Sequence, residues 1–402
     1  MTDSKENIRQ KFLDLSKQFE PTLIAMRRSL HEIPEPSFEE HKTQRKICFL
    51  LKAVGIPYRR IPGTTGVVGM VGGKGTRTVA LRADMDALSM DEQTDLPFKS
   101  RHKGYMHACG HDAHMAMVIA AGKLLKALGK DLKGRVKLIF QPAEEMPPGG
   151  ALELIKKGVL TRPRVDAIIG THVSASVPAG KVAFNHGAIS AAADDFEITI
   201  SGRGGHGSSP HQGIDAIVVA AYFITQLQTI VSRRVSALEN VVVSIGKIQG
   251  GYRDNIIADK VTLEGTVRTR SETMRKAVPK MIQQILDATC SAFGARGKLD
   301  YIEGYPAVIC DENLTTLAEE ACRDLLGRRK VLKTTEFEMG AEDFAHYARR
   351  VPGTIIFVGI ANRRKGKVYQ LHHPKFDIDE DALKVGAAAL AYSAYRYLEA
   401  RT

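Results

Sequence analysis

The sequence predicts an α/β protein: a mixed-sheet α/β/α domain interrupted by an inserted α+β segment of ferredoxin-like order. Three observations carry this. Helix-like and strand-like segments alternate up to about Gly187, the order then becomes strand-helix-strand-strand-helix-strand, and the alternation returns after about Cys310. The chain has 402 residues, beyond the roughly 100–200 of a typical domain. Two domains are therefore expected, one from residues 1–186 with 302–402 and one from residues 187–301.

Ile8, Phe12, Leu13, Leu15, Phe19, Leu23, Ile24, Met26 and Leu30 recur at near-helical spacing, and Pro34 and Pro36 break the run. A second helix is expected from about Glu39 to Val54, stopped by Gly55. GVVGMVGG and TVALRADMDAL are short apolar runs bounded by glycine or turn residues and read as strands. His111–Leu128 is helical, RVKLIF is a buried-type strand, QPAEEMPPGGA is a loop opening another helix, and VDAIIGTH is a further strand. Polar residues collect at the strand ends, where open α/β sheets bind ligands. The insert reads as FEITISGRG, a helix from about Gly213 to Arg233, VVVSIGKIQGG, KVTLEGTVRT, a helix from about Glu272 to Phe293, and a last strand in YIEGYP.

Composition excludes several classes of function. The chain is 44% hydrophobic and 25% charged, and no continuous apolar run approaches the ~18–20 residues of a membrane span. The N-terminal MTDSKENIRQ lacks the apolar core of a secretory signal. The five cysteines, Cys48, Cys109, Cys290, Cys310 and Cys322, are odd in number and scattered, which suits a reducing compartment, so a cytoplasmic location is expected. The net charge of +12 comes from pairs spread along the chain, such as RRIP, SRRV and NRRKGK, without a dense basic arm. Nucleic acid is therefore not the expected partner, and the positive field favours small anionic substrates.

The densest chemical signal is YMHACGHDAHMAM, which gathers His107, Cys109, His111, Asp112 and His114 just before an apolar helix. Cys109 and His111 on a strand-to-helix loop suit zinc or another borderline transition ion, with Asp112 and His114 free to orient ligands. The competing account makes Asp112 a first-turn acid and Cys109 a packed small hydrophobe. Glu144 and Glu145 follow RVKLIF on a loop, where neighbouring carboxylates point apart; one can bind metal while the other serves as a general base, or both can merely complement a helix dipole. His172 ends VDAIIGTH, while His372 and His373 lie in LHHP. Asp84 and Asp86 share one face of a strand end by two-residue periodicity and can hold or orient a ligand histidine.

In order, MHACGHDAH, QPAEE, GTH, SGRGGHGSSPH, MGAEDFA and LHHPKF resemble the metallopeptidase family of aminoacylases and carboxypeptidases. The nearest branch is the amidohydrolases, which include auxin-conjugate hydrolases, hippurate hydrolases and N-acetyl-diaminopimelate deacetylases. The resemblance runs from about Leu30 to Asp379. It implies a catalytic domain binding two divalent metal ions (manganese, zinc, cobalt or nickel) through Cys109, His111, Glu145, His172 and His372. Glu144 becomes the general base and Asp86 the acid that orients a metal-site side chain. Many members of the wider family carry aspartate where Cys109 stands. Two histidines in LHHP leave His373 as the alternative last ligand, and Ser89 follows DAL where proline is common.

The inserted segment resembles the family's lid and dimerisation domain, which implies a homodimer or homotetramer. His206, Asn255 and Arg268 match residues that grip the substrate carboxylate or stabilise the oxyanion, with His206 acting from a partner subunit in dimeric relatives. Local accounts compete: a Gly-rich turn for His206, a hairpin end for Asn255, a cross-strand pair for Arg268. Glu342 and Asp343 match the pocket lining. The implied activity is cleavage of the amide bond of an N-acyl amino acid, such as an N-acetyl or N-benzoyl conjugate. The alternatives are a metallo-carboxypeptidase or dipeptidase on the same fold and, from a different class, a non-catalytic binder of such conjugates.

Overall fold

The computed structural model describes residues 2–73, 75–334 and 339–400. The chain forms two compact units: one takes the chain through Gly187 and from Ile309 onward, the other takes Ala188–Val308 with a short segment ending at Glu342.

The first unit opens with α1 (Thr2–His31) and α2 (His41–Ala53), followed by β1 (Tyr58–Arg60), β2 (Val67–Gly72) and β3 (Thr78–Asp84). Then come α3 (His111–Lys126), β4 (Arg135–Gln141), α4 (Gly150–Lys156), β5 (Ala167–Pro178), β6 (Val182–Phe184) and, at the boundary, β7 (Gly187–Ala188). The three exposed residues of β1 carry no apolar alternation, so nothing in the sequence marked that strand.

In the second unit, β8 (Ala192–Ser201) is followed by β9 (Gly205–His206), α5 (Ala216–Leu227), β10 (Val241–Gly250), β11 (Ile256–Ile257), β12 (Lys260–Thr269), α6 (Glu272–Phe293) and β13 (Arg296–Tyr305). The four long strands make one antiparallel sheet in the order β10-β12-β8-β13, a ferredoxin-like arrangement. Two sequence boundaries need correction. The 301/302 division falls inside β13, which pairs with β8 as far as Tyr305↔Ala193, so the unit runs on to Val308. The helix expected from Gly213 starts only at Ala216, because Asp215 caps it by accepting from the Ile217 and Val218 N–H groups at 2.9 and 3.4 Å.

Ala216–Arg234 is long and apolar enough, by length and composition alone, to cross a membrane. Its apolar stripe, Ala216, Val219, Ala220, Phe223 and Leu227, is part of the second unit's core, as expected of a helix seated on a sheet.

The chain returns to the first unit with β14 (Ile309–Cys310), α7 (Glu312–Leu326), β15 (Val331–Lys333), α8 (Ala345–Ala348), β16 (Gly353–Ala361) and α9 (Asp381–Glu399). Its sheet has the order β1-β2-β4-β3-β5-β16-β6-β15 and is mixed: β4, β3, β5 and β16 run parallel, β2 pairs antiparallel with β4 and with β1, and β6 pairs antiparallel with β16 and parallel with β15. Loops leaving the same ends of β3, β4 and β5 are therefore neighbours.

Helix α3 is buried along almost its whole length and packs against α1, α9 and the central strands. Behind it lies an ionic lock. The wholly buried Arg27 of α1 donates from Nε to Asp112 Oδ2 at 2.7 Å, from Nη2 to Asp377 at 3.1 Å and from Nη1 to Glu380 at 3.3 Å. His31 adds a second contact to Asp112 at 2.8 Å. Burial opposes a charge on Asp112, but Arg27 and His31 hold its carboxyl well below the usual range. Removing one member of such a lock strands the others in low dielectric. Arg27→Met is expected to cost about 3–5 kcal/mol, measured by denaturant unfolding, and a loss below 1 kcal/mol would show that the acids find another partner.

Candidate metal centre

β3 ends at Asp84 and places Asp86 two residues on; β4 delivers the turn Gln141–Glu145; β5 carries His172; α3 begins at His111. The loop before α3 reaches β5 through Gly110, whose φ is +81° and whose missing Cβ would stand 2.5 Å from Val173 Cγ2. A side chain there would push Cys109 away from His172, so the glycine sets the approach.

Cys109 Sγ lies 3.6 Å from His172 Nε2. Two ligands at about 2.3 and 2.1 Å on a tetrahedral ion stand roughly 3.6 Å apart. Three ligand groups overlap here: Cys109, His111 and His172; Cys109, Glu145 and His372; and His111, Glu144 and Glu145, each with its donor atoms within 4.8 Å of one another. Cys109, His111 and Glu145 each belong to two of these groups, so the three groups form one continuous cluster.

The donor atoms are prepared for cations. His111 places Nδ1 3.0 Å from the Asp86 carbonyl oxygen and 3.3 Å from its carboxylate Oδ1. Its Nε2 then faces Asp84 Oδ1 at 3.7 Å and Glu145 Oε1 at 3.8 Å. His111 Nε2 and Glu145 Oε1 are buried and make no hydrogen bond, a costly arrangement unless a ligand satisfies them. Burial disfavours a charged His111, yet Asp84, Asp86 and Glu145 raise it to about 10. Burial, with Glu145 and Glu144 beside it, pushes the Cys109 thiol well above its ordinary value. Imidazole, thiol and carboxylates crowded this way fit divalent ions, which replace the protons and neutralise the acids.

The other members of the motif have different surroundings. His114 contacts Asp84 Oδ1 through Nδ1 at 2.6 Å and accepts the Val173 N–H at Nε2, 2.9 Å, so both ring nitrogens are engaged. Asp112 belongs to the Arg27 lock. His107 is buried with neither ring nitrogen hydrogen-bonded, and burial pushes it down to about 3. In LHHP, His372 brings Nε2 within 3.4 Å of Glu145 Oε1, while His373 stacks on Tyr369 at 4.4 Å and accepts the Lys375 N–H.

The Glu144–Glu145 turn is held from both sides. Asp86 Oδ2 accepts from the Glu145 N–H at 3.0 Å and from Ser37 Oγ at 2.7 Å. The buried Glu40 carboxylate takes the Ala143 N–H at 2.8 Å. Ala143 has φ +53°, a left-handed conformation that costs a residue with a Cβ ~1–2 kcal/mol. Beneath the turn, Arg82 joins Asp84 Oδ2 at 2.7 Å to Asp343 Oδ1 at 3.0 Å, and Gln141 donates to both Asp343 oxygens at 2.8 Å. Asp343 is thus a buried acid tied to Arg82 and Gln141, and one of its carboxylate oxygens also lies within 4.8 Å of a Glu144 carboxylate oxygen.

Ser37, Glu40 and Arg82 were not among the residues expected from the sequence. The only signal for the first two was an acid-rich, proline-broken segment, HEIPEPSFEE, between two helices.

In the second unit, β9 and β11 pair as a short ribbon with His206↔Ile256, and the Gly207 N–H donates to the Asn255 carbonyl at 2.8 Å. His206 and Asn255 are therefore neighbours. His206 Nδ1 accepts from the Ser208 N–H at 3.1 Å and contacts its hydroxyl at 2.7 Å, which puts the proton of the neutral ring on Nε2. Arg268 lies in β12, apart from the ribbon, and donates to Thr266 Oγ1 and the Val267 carbonyl. Glu342 ends the short segment that groups with this unit.

An α/β unit whose parallel strands converge on Cys, His and Glu side chains defines a metal-binding hydrolase class. Residues 80–396 match the peptidase family M20/M25/M40, and the chain belongs to that family. It is 39% identical to thermostable carboxypeptidase 1 of Saccharolobus solfataricus over 95% of this chain and 96% of that protein. It is 40% identical to an N-acetylcysteine deacetylase of Bacillus subtilis over 95% of this chain and 98% of that one. Among solved structures, a Bacillus subtilis dinuclear metal binding peptidase of the M20 family superposes with a TM-score of 0.83 at 36% identity, over 95% of this chain and 99% of that chain. The protein is an amidohydrolase, a hydrolase of carbon–nitrogen bonds.

Because Asp86 orients His111, Asp86→Asn is expected to weaken metal binding about 10–100-fold. Competition with a chelating dye measures this, and unchanged affinity would leave Asp86 without the orienting role.

Proposed function

We propose that the protein is a metal-dependent amidohydrolase that cleaves the amide bond of N-acyl amino acids, with Glu144 as general base. The observation that carries this reading is the pairing of two consecutive glutamates at the cluster: Glu145 and the buried Glu144 share a ligand group with His111, and Glu145 also falls in the group with Cys109 and His372. Cys109, His111, Glu145, His172 and His372 would hold two divalent ions. When bound, the ions supply Lewis acidity, acidifying a water and polarising the scissile carbonyl.

Glu144 takes the proton of the attacking water and returns it to the departing nitrogen, so its carboxylate must lie within hydrogen-bond reach of both. Asp86 keeps His111 in the tautomer that leaves Nε2 as the donor atom. His206, with its proton on Nε2, and the neighbouring Asn255 are suited to hold a substrate carboxylate or the oxyanion, and Arg268 and Glu342 complete the proposed substrate-binding set. The domain roles follow: the first unit is catalytic, and the second is a lid and dimerisation domain, in a homodimer or homotetramer.

The deacetylase relative supports an N-acyl substrate. The carboxypeptidase relative supports the second reading, cleavage of a peptide bond by the same chemistry. A thiol ligand that must escape oxidation suits the cytoplasm.

The test is a panel of N-acetyl, N-benzoyl and indole-acetyl amino acids beside simple dipeptides, using chelated protein reloaded separately with manganese, zinc, cobalt or nickel. Metal-restored cleavage of the acyl amino acids is expected, and cleavage of dipeptides alone would transfer the assignment to the peptidase reading. Glu144→Gln should keep its metal and fold while turnover falls at least roughly a hundredfold; wild-type turnover would remove Glu144 from its role.

A further inference from the structure

We propose that Glu40 is a positioning residue for catalysis: its buried carboxylate, steadied by the Thr65 hydroxyl, fixes the Ala143 peptide and thereby aims the Glu144 side chain. The inference rests on the reading of Glu144 as general base.

Glu40 immediately precedes α2, where an acid ordinarily serves the helix N-terminus. It does not do so here, since its side chain makes no cap bond. That task falls to Glu35, whose Oε2 accepts the Lys42 and Thr43 N–H groups at 2.7 and 2.8 Å and the Thr43 hydroxyl at 3.0 Å. Glu40 instead reaches across the unit. Its Oε1 accepts the Phe38 N–H at 3.0 Å and the Ala143 N–H at 2.8 Å, and its Oε2 accepts the Thr65 hydroxyl at 2.5 Å.

The two peptides that converge on Oε1 share an unusual conformation. Among the described residues, Phe38, Ala143 and His372 are the non-glycine positions with positive φ, at +69°, +53° and +62°. Left-handed backbone at a residue with a Cβ persists only where the surroundings over-determine it. At Ala143 those surroundings are the Glu40 carboxylate on its N–H and the Gly150 N–H, which donates to its carbonyl at 3.0 Å. One residue beyond Glu144, the Glu145 N–H is held by Asp86.

Glu144 thus sits between two peptides each fixed by a buried carboxylate. Release of the Ala143 N–H lets φ relax toward the right-handed region and swings the Glu144 side chain, whereas Glu145 remains tied to Asp86. The hydrogen bonds of Glu40 go to Phe38, Ala143 and Thr65, none of them a proposed metal ligand. Its loss should therefore appear in turnover and not in metal content.

The experiment compares Glu40→Ala, Glu40→Gln and the near-isosteric Thr65→Val in the metal-loaded wild-type and Glu144→Gln backgrounds, reading kcat, KM, bound metal and thermal unfolding. In the wild-type background Glu40→Ala should lower kcat roughly ten- to a hundredfold, with KM and metal content unchanged. Glu40→Gln should restore most of it, because the amide oxygen still accepts from Ala143 and the Thr65 hydroxyl can turn to accept from the amide nitrogen. In the Glu144→Gln background neither Glu40→Ala nor Thr65→Val should lower kcat further, since a residue acting through Glu144 has nothing left to position. Should Glu40→Ala not fold, Thr65→Val gives the same comparison on an intact chain. Equal losses in both backgrounds, lost metal, or unchanged kcat in the wild-type background would overturn the positioning role while leaving Glu144 as base. Wild-type turnover in Glu144→Gln alone would remove the base assignment itself, and the role of Glu40 with it.

Discussion

Negative charge crowded into a dry place is the constraint on which the first unit is built. Asp84, Asp86 and Glu144 are buried, and Glu145 is nearly so, around one fully buried histidine. An uncompensated carboxylate in such surroundings either takes up a proton or destabilises the fold. Protein cations supply only part of the compensation. Arg82 reaches Asp84 from beneath and His114 from the side, while Asp86 is met by Ser37 and by backbone. Glu145 Oε1 and His111 Nε2 are left facing each other without a hydrogen bond. The fold concentrates acids on the side where ions would bind and keeps its own guanidinium groups on the other.

That separation explains why one short motif serves two purposes. His111 begins α3, and His114 lies three residues on, so both present toward β3 and share Asp84, at 3.7 and 2.6 Å. Asp112, rotated about 100° round the helix, points instead at α1 and the Arg27 lock. The residues of HDAH therefore alternate between the site and its support. A change at Asp112 acts on the seating of α3, whereas a change at His111 acts on the ligand set directly.

Much of this was legible in the sequence because the chemistry is local. Cys109 and His111 are two residues apart, Glu144 and Glu145 are adjacent, and Asp84 and Asp86 follow the strand period, so the types and spacings pointed to a candidate ligand cluster before any fold was known. What was not legible depends on distant pairings. Arg82 with Asp343 joins residues 261 positions apart, and Glu40 with Ala143 joins residues 103 apart. Neither pair has a periodicity or a short motif to betray it. The choice between His372 and His373 belongs to the same class: two identical side chains are separated only by the left-handed backbone at His372, which turns one toward Glu145 and leaves the other to stack on Tyr369. The end of the second unit was misplaced although YIEGYP was read as its last strand: β13 runs through most of that stretch to Tyr305, and the unit closes only at Val308.

The division of labour proposed for Glu144 and Glu145 rests on how the turn is tied. Two adjacent side chains on an irregular turn point apart, but a flexible turn would let them exchange roles and so blur a ligand with a base. Here the peptide before Glu144 and the peptide after it are each bonded to a different buried carboxylate, Glu40 on one side and Asp86 on the other. Asp86 also contacts His111, so the anchor of Glu145 and the orientation of a neighbouring ligand are the same interaction. Oxygens of both glutamates lie among the candidate ligand atoms beside His111, and Glu145, tied to Asp86, also joins Cys109 and His372. Glu144, preceded by the strained alanine, is tied separately through Glu40, and the proposed division between a base and a ligand requires that the two anchors be independent.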